Sequence, residues 1–273
     1  MSALKKILDS AESRHSLICL GLDLDPKRIP KSCGDGNKGM ARFALQIIEA
    51  TSEVVAAYKP NMAFYEALGP EGLSLLKLVC SRIPDETVII LDAKRGDIGN
   101  SAEFYARACY ELYRADWVTV NPYMGYDSLR PFLEYKDKGI FVLCLTSNPG
   151  ARDFQCLEID GKPLYLHVAR QVESWNKENN CGLVVGATYP EQLVKIRDVA
   201  AEMPILIPGI GAQGGDLELA VQNGTAAFKK PALINVSRSV LYASDDEHYA
   251  QAARNEVDKL NSEINRMRTQ PPA

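Results

Sequence analysis

The 273-residue chain has no apolar run approaching the length that spans a bilayer, which excludes a membrane-crossing helix. Its first residues, Met1-Ser2-Ala3-Leu4-Lys5-Lys6-Ile7-Leu8-Asp9, lack the apolar stretch of a secretory signal, so a cytoplasmic location is expected. Seven cysteines are scattered without a Cys-x-x-Cys pair, and an odd count without a signal points to reduced thiols rather than a disulfide framework. Cys19, Cys80 and Cys144 lie in apolar runs and read as small core residues. The histidines, His15, His167 and His248, are too far apart for ligand spacing, so no metal centre is expected. No G-x-S-x-G elbow is present, which removes the hydrolase nucleophile of that type. Nor is charge of one sign in excess. The 31 basic and 35 acidic residues leave a net −4, which argues against broad nucleic-acid binding but allows a local basic site. No linker, low-complexity block or composition shift divides the chain, and residues 1–273 are expected to form one domain.

What is present is alternation. Eight β-rich runs, at 17–24, 54–59, 87–92, 117–121, 140–146, 182–187, 205–209 and 232–236, are separated by amphipathic segments. Ala41, Ala44, Leu45 and Ile48 have the spacing of one helix face, and further helices are expected at 71–81, 102–114, 162–179, 190–201, 216–223 and 247–267. Eight strand–helix units with short connections predict an α/β fold, a closed (β/α)8 TIM barrel, in preference to an open doubly wound sheet. Residues 3–14 read as an extra N-terminal helix capping its base. Residues 31–39 read as a flexible loop, and 269–273 as a frayed end.

In such a barrel, function collects where the strands end. The third run continues as Leu91-Asp92-Ala93-Lys94-Arg95-Gly96-Asp97. Alternation puts Val88, Ile90, Asp92 and Lys94 on one face, so opposite charges stand where an apolar face stops. Fixed charge in a partly dry place suits electrostatic catalysis, although structural ion pairs give similar patterns. Lys59 ends the second run. It reads equally as a surface lysine or, more economically, as a partner for Asp92 on the neighbouring strand. On the first run Cys19, Gly21, Asp23 and Asp25 should face inward, and either aspartate could serve a turn. Ser147 follows the fifth run, where a hydroxyl also suits a cap. The stretch Pro208-Gly209-Ile210-Gly211-Ala212-Gln213-Gly214-Gly215 and the end Ser237-Arg238-Ser239 offer backbone N–H groups and a guanidinium fork. Those are the parts of a phosphate site after strands seven and eight.

The run Asp92-Ala93-Lys94-Arg95-Gly96-Asp97 closely resembles the signature of the orotidine 5'-phosphate decarboxylase family, in its longer bacterial-type subgroup. The likeness extends to strands one, two, three, five, seven and eight in the family's order. It implies decarboxylation of orotidine 5'-monophosphate to uridine 5'-monophosphate, the last step of de novo UMP synthesis, without a cofactor or metal. It assigns Lys59, Asp92, Lys94 and Asp97 to the catalytic array. Lys94 would protonate C6, Asp92 would crowd the substrate carboxylate, and Lys59 would balance Asp92 and orient it and the ribose. Asp23 would accept a ribose hydroxyl, Ser147 would bond the pyrimidine, Gln213 would contact phosphate and pyrimidine, and Arg238, beside Ser237, would bind phosphate. Asp97 would act in the site of a second subunit, with Ile98 and Ser101. The family often has Thr where Ser101 stands, and the hydroxyl is kept. A homodimer with shared sites is therefore expected, with no nucleic acid or membrane as partner. Two rivals remain. Sugar-phosphate barrels share the Asp-x-Lys-x-x-Asp run but use magnesium and place Glu on the second strand, where this chain has Lys59. A non-catalytic nucleotide-binding barrel would have no need of all four charges.

Overall fold

Period-two alternation of apolar side chains builds eight short strands, and in the computed structural model they close on themselves. The structure describes residues 1–188, 190–200, 202–210, 216–225 and 230–269. The strands are β1 (Ile18–Gly21), β2 (Ala57–Lys59), β3 (Val88–Arg95), β4 (Trp117–Val120), β5 (Gly139–Leu145), β6 (Cys181–Val185), β7 (Ile205–Pro208) and β8 (Ala232–Val236). All pair in parallel, each with its neighbours in sequence, and β1 closes the ring against β8 through Ile18↔Ile234 and Cys19↔Asn235. The expected (β/α)8 barrel is what forms.

Alternation sorts the strand residues into two cores. Ile18, Leu20, Ile89 and Leu91 point outward and pack with helical residues such as Phe43, Ile47 and Leu76. Cys19, Ala57, Val88, Ile90, Trp117 and Phe141 point inward and fill the barrel. The Trp117 and Phe141 rings lie 4.7 Å apart between centroids. They fit because strand neighbours are glycine: a Cβ on Gly139 would stand 2.5 Å from the Trp117 ring, and one on Gly182 2.7 Å from Phe141.

The helix α1 (Ala3–Ser13) closes the base, as the sequence predicts. Ser2 caps it by accepting from Lys5 N–H at 3.3 Å, and Ala3 and Ile7 join the inner core. Ser10 donates to the Ala56 carbonyl at 2.7 Å, and Lys6 pairs with buried Asp116 at 2.6 Å. Asp116 also accepts from the Ile89 N–H at 2.9 Å, so the same carboxylate ties helix to strand.

Several local expectations need correction. Residues 31–39 are not a loose loop. They form a tight turn at Lys31–Cys33 and the start of the helix Gly36–Thr51, with Cys33 buried. Gly34 and Gly36 hold positive φ of 83° and 61°, so here glycine directs a turn into a helix. The helix expected at 162–179 spans Leu164–Trp175, because Lys162–Pro163 pairs antiparallel with Glu158–Ile159. The segment at 102–114 starts earlier, at Gly99, and finishes in a wider turn at Ala108–Leu112. Helix Tyr126–Leu133, with Pro131 inside it, was not expected from the periodicity, being too short to establish a pattern. Of the frayed end, residues 270–273 lie outside the described residues. Among the described residues all seven cysteines are free, and no helix is long and apolar enough to cross a membrane.

Candidate active site

The carboxyl ends of the strands converge at one mouth of the barrel, and β2 and β3 bring the charged residues there. Lys59 ends β2 with its side chain only 5% exposed, and its Nζ donates to Asp92 Oδ2 at 2.9 Å. Lys94 is 51% exposed and donates from Nζ to Asp92 Oδ1 at 2.6 Å. The Thr119 hydroxyl, from β4, donates to the same Oδ1 at 2.8 Å. One carboxylate, itself 11% exposed, thus receives three donors.

Electrostatics follow from that packing. Burial opposes ionisation of both Lys59 and Asp92, but their mutual attraction overcomes it. Asp92, aided by Lys94, is held well below the usual carboxylate range, and Lys59, aided by Asp23, above the usual ammonium range. Both are therefore charged at neutral pH, and the triad Lys59–Asp92–Lys94 carries a net positive charge. Beneath it, burial pushes the Cys19 thiol up to about 12, with Lys59 pulling the other way and Asp92 and Asp23 adding to the rise. Cys19 stays a neutral thiol at neutral pH.

On the far side of the mouth, Ser237 follows β8 and donates to Asp23 Oδ2 at 2.8 Å. The approach depends on Gly21, where a Cβ would stand 2.8 Å from Ser237 Cβ. Asp23 Oδ1 is buried without a hydrogen-bond partner, and so is Asn235 Oδ1 on β8. Buried acceptors of this kind are rare unless something donates to them. Tyr242 holds the segment by donating from its hydroxyl to the Asp23 carbonyl at 3.1 Å and accepting from Asp25 N–H at 2.8 Å. Asp25 itself caps the turn Pro26–Arg28, accepting from Lys27 N–H at 2.9 Å, which is the loop-shaping role open to it in the sequence.

The structure brings Lys59, Asp92 and Lys94 together, and Asp23 with Ser237. It does not bring Asp97 to Lys94 within one chain. Asp97 accepts from the Ile98 N–H at 2.8 Å, and among the described residues it makes no ion pair. Ile98 is 55% exposed, and Ser101 is exposed in the first turn of the helix Gly99–Arg107. Ser147 sits just past β5, backed by Gly186, where a Cβ would stand 2.8 Å from Ser147 Cβ. Arg238 is exposed at the start of the short helix Arg238–Leu241, immediately after Ser237. Gln213 and its glycine-rich stretch, residues 211–215, lie outside the described residues. Sequence reasoning missed Thr119, Asn235 and Tyr242. For Thr119 a signal existed: it lies two residues past the inward Trp117, at a strand end.

Comparison with known proteins agrees with this geometry. The profile of the orotidine 5'-phosphate decarboxylase / HUMPS family matches residues 16–253. The orotidine 5'-phosphate decarboxylase of Herpetosiphon aurantiacus is 51% identical over 253 residues, covering 92% of this chain and 93% of its own. The solved structure of Leishmania donovani OMP decarboxylase superposes with a TM-score of 0.87 at 39% identity, covering 99% of this chain and 100% of its own. That of Leishmania donovani UMP synthase reaches a TM-score of 0.90 at 41% identity over 100% of this chain, which spans 58% of that longer one. At this level of identity and coverage, the chain belongs to the orotidine 5'-phosphate decarboxylase / HUMPS family.

Proposed function

We propose that the chain decarboxylates orotidine 5'-monophosphate to uridine 5'-monophosphate, the last step of de novo UMP synthesis, using only its own side chains. The observation that carries this reading is the Asp92 carboxylate held between the Lys59 and Lys94 ammonium groups at the barrel mouth. The bond from C6 to the carboxylate breaks, carbon dioxide leaves, and the electron pair stays on C6. No neighbouring group can delocalise that pair simply, so fixed charge must stabilise it. Lys94 stands free enough to reach C6, gives it a proton from Nζ, and recovers one from water through its exposed side. Asp92 places like charge beside the substrate carboxylate, and Lys59 keeps Asp92 ionised and aimed. The unpartnered Asp23 Oδ1 accepts a ribose hydroxyl. Arg238 and Gln213 grip the phosphate and Ser147 the pyrimidine. Binding energy from that remote phosphate can then support desolvation at C6.

The working form is a cytoplasmic homodimer of single-barrel chains. Asp97, unpaired with Lys94 in its own chain, reaches Lys94 of the partner, with Ile98 and Ser101 beside it. Exposed apolar side chains support this. Ile98, Tyr123 and Met124 are exposed in the segments that directly follow β3 and β4. Exposed apolar side chains beside a site are what an interface would cover.

Sugar-phosphate barrels share the Asp-x-Lys-x-x-Asp run, but Lys59 occupies the second-strand position where those place Glu. One assay separates the readings. Purified protein is mixed with orotidine 5'-monophosphate, with and without EDTA, and loss of the orotate absorbance is followed. Equal turnover in both arms is expected. No turnover, or turnover lost on chelation and restored by magnesium, overturns the proposal.

A further inference from the structure

The β3–β4 ladder is irregular where the charged residues stand. Leu91 pairs with Val118, but the next pair is Arg95 with Val120, so four steps along β3 match two along β4. Asp92, Ala93 and Lys94 bulge out of register opposite Thr119 alone. Within the bulge Lys94 has a φ of +46°, the left-handed region. A residue with a Cβ is strained there and persists only where its surroundings fix it. The bulge also leaves the Lys94 N–H without a ladder partner.

Thr119 meets both needs. Its side chain is buried, and its Oγ1 accepts from the Lys94 N–H at 3.0 Å while donating to Asp92 Oδ1 at 2.8 Å. The direction is fixed, because a backbone N–H can only donate and an ionised carboxylate can only accept. The single hydroxyl proton must therefore lie towards Asp92. One side chain on β4 sets the backbone of the residue that carries the proton and the carboxylate that lies beside it.

We propose that Thr119 is a positioning residue for the decarboxylation, locking the Lys94 bulge and the Asp92 carboxylate in one arrangement through its hydroxyl. This rests on the reading of Lys94 as the proton donor to C6. It touches no substrate atom itself. It acts by keeping Lys94 Nζ and Asp92 Oδ1 at their 2.6 Å contact and by denying the bulge its relaxed, right-handed alternatives.

The test compares Thr119→Val, which keeps the branched shape and removes the hydroxyl, with Thr119→Ser, which keeps the hydroxyl. Thr119→Ala replaces the valine variant if that one does not fold. Removing the hydroxyl is expected to lower kcat about 10- to 100-fold, the scale of an ångström-sized misplacement. KM and the affinity for UMP should stay within about threefold, as for a group acting on the transition state rather than on binding. Thr119→Ser should restore kcat to within about threefold of wild type. Amide hydrogen exchange of the peptide carrying Lys94 gives a second readout that needs no substrate: it should rise in the valine variant and not in the serine variant. If valine lowers the melting temperature but leaves kcat per UMP-binding site unchanged, Thr119 is merely structural and the inference is overturned. Unchanged exchange, or a folded serine variant as slow as valine, overturns it too. If wild type itself fails to decarboxylate the nucleotide, the functional reading falls, while the exchange comparison still decides the role of Thr119.

Discussion

Removing the Asp92 carboxylate should reverse the way this protein responds to alkali. Lys59 is the most deeply placed cation of the site, with a side chain 5% exposed and Asp92 Oδ2 as its ion-pair partner at 2.9 Å. In Asp92→Ala that ammonium stays buried and loses its main counter-charge, a change that typically costs about 3–5 kcal/mol. Asp23 still attracts Lys59, so the lower end of that range, about 3 kcal/mol, is expected. The converse change is milder. In Lys59→Met, Asp92 keeps Lys94 at 2.6 Å and Thr119 at 2.8 Å, and a loss of about 1 kcal/mol is expected. In wild type the folded state holds the Lys59 proton more tightly than the unfolded chain. Its stabilisation is therefore complete below the unfolded value of about 10.4 and fades as pH climbs through the raised folded value. In Asp92→Ala burial dominates and the folded value drops below about 10.4. The unfolded chain then binds the extra proton, so the contribution of Lys59 rises with pH across that window. Burial raises the phenols of Tyr58, Tyr65 and Tyr110, which weakens both proteins alike in alkali and cancels in the difference. Urea denaturation of the two proteins between about pH 7 and about pH 10 measures the gap, which should be widest near neutrality and narrow as pH rises. A gap that stays constant or widens, or a neutral-pH loss below about 1 kcal/mol, would refute the account of Lys59 as a buried cation held by Asp92.

Lys94→Ala should retain measurable UMP binding while keeping less than about a tenth of wild-type kcat, a barrier increase above about 1.4 kcal/mol, measured by steady-state kinetics beside calorimetric titration. Mixing inactive Lys94→Ala and Asp97→Ala subunits should restore about a quarter of the sites, because random exchange makes about half the dimers mixed and each mixed dimer has one intact site. Activity that stays at the level of the separate variants despite proven exchange would place Asp97 in its own chain's site. Gly139→Ala should lower stability by about 1–3 kcal/mol, seen as an earlier thermal melt, because its methyl meets the Trp117 ring rather than open space.

Much of this molecule is legible as alternation. On β3 the sequence puts Val88, Ile90 and Asp92 on one face and Ile89 and Leu91 on the other, and the two cores divide along that line. Lys59 and Asp92 could be matched in advance because parallel neighbours bring adjacent strand ends together. What the pattern could not carry was departure from period two. Simple alternation places Lys94 on the Asp92 face, but it does not reveal the bulge or the positive φ that deliver it there. The inward place of Thr119 near a strand end could be read, but its role could not, because its partners Asp92 and Lys94 lie 27 and 25 residues away, beyond any local motif. The turn and helix start within 31–39 were misread because glycine marks both loose loops and required left-handed turns. Asp97 stands apart, since its expected partner belongs to another chain.

The filled barrel floor has a consequence for traffic. Below the charged triad the interior is closed by Val88, Ile90, Trp117 and Phe141, and beneath them by Ala3 and Ile7 of α1. Interiors packed in this way leave few voids larger than a water molecule. Among the described residues the barrel is thus closed at its base, and what enters at the mouth leaves by the same route. On the proposed reading, carbon dioxide is released at the triad, above that aromatic floor. Its escape is upward, past the pyrimidine or along the exposed side of Lys94. Gas exit and nucleotide exit therefore compete for one passage, and the order of product release is set by how the mouth opens rather than by any channel through the base.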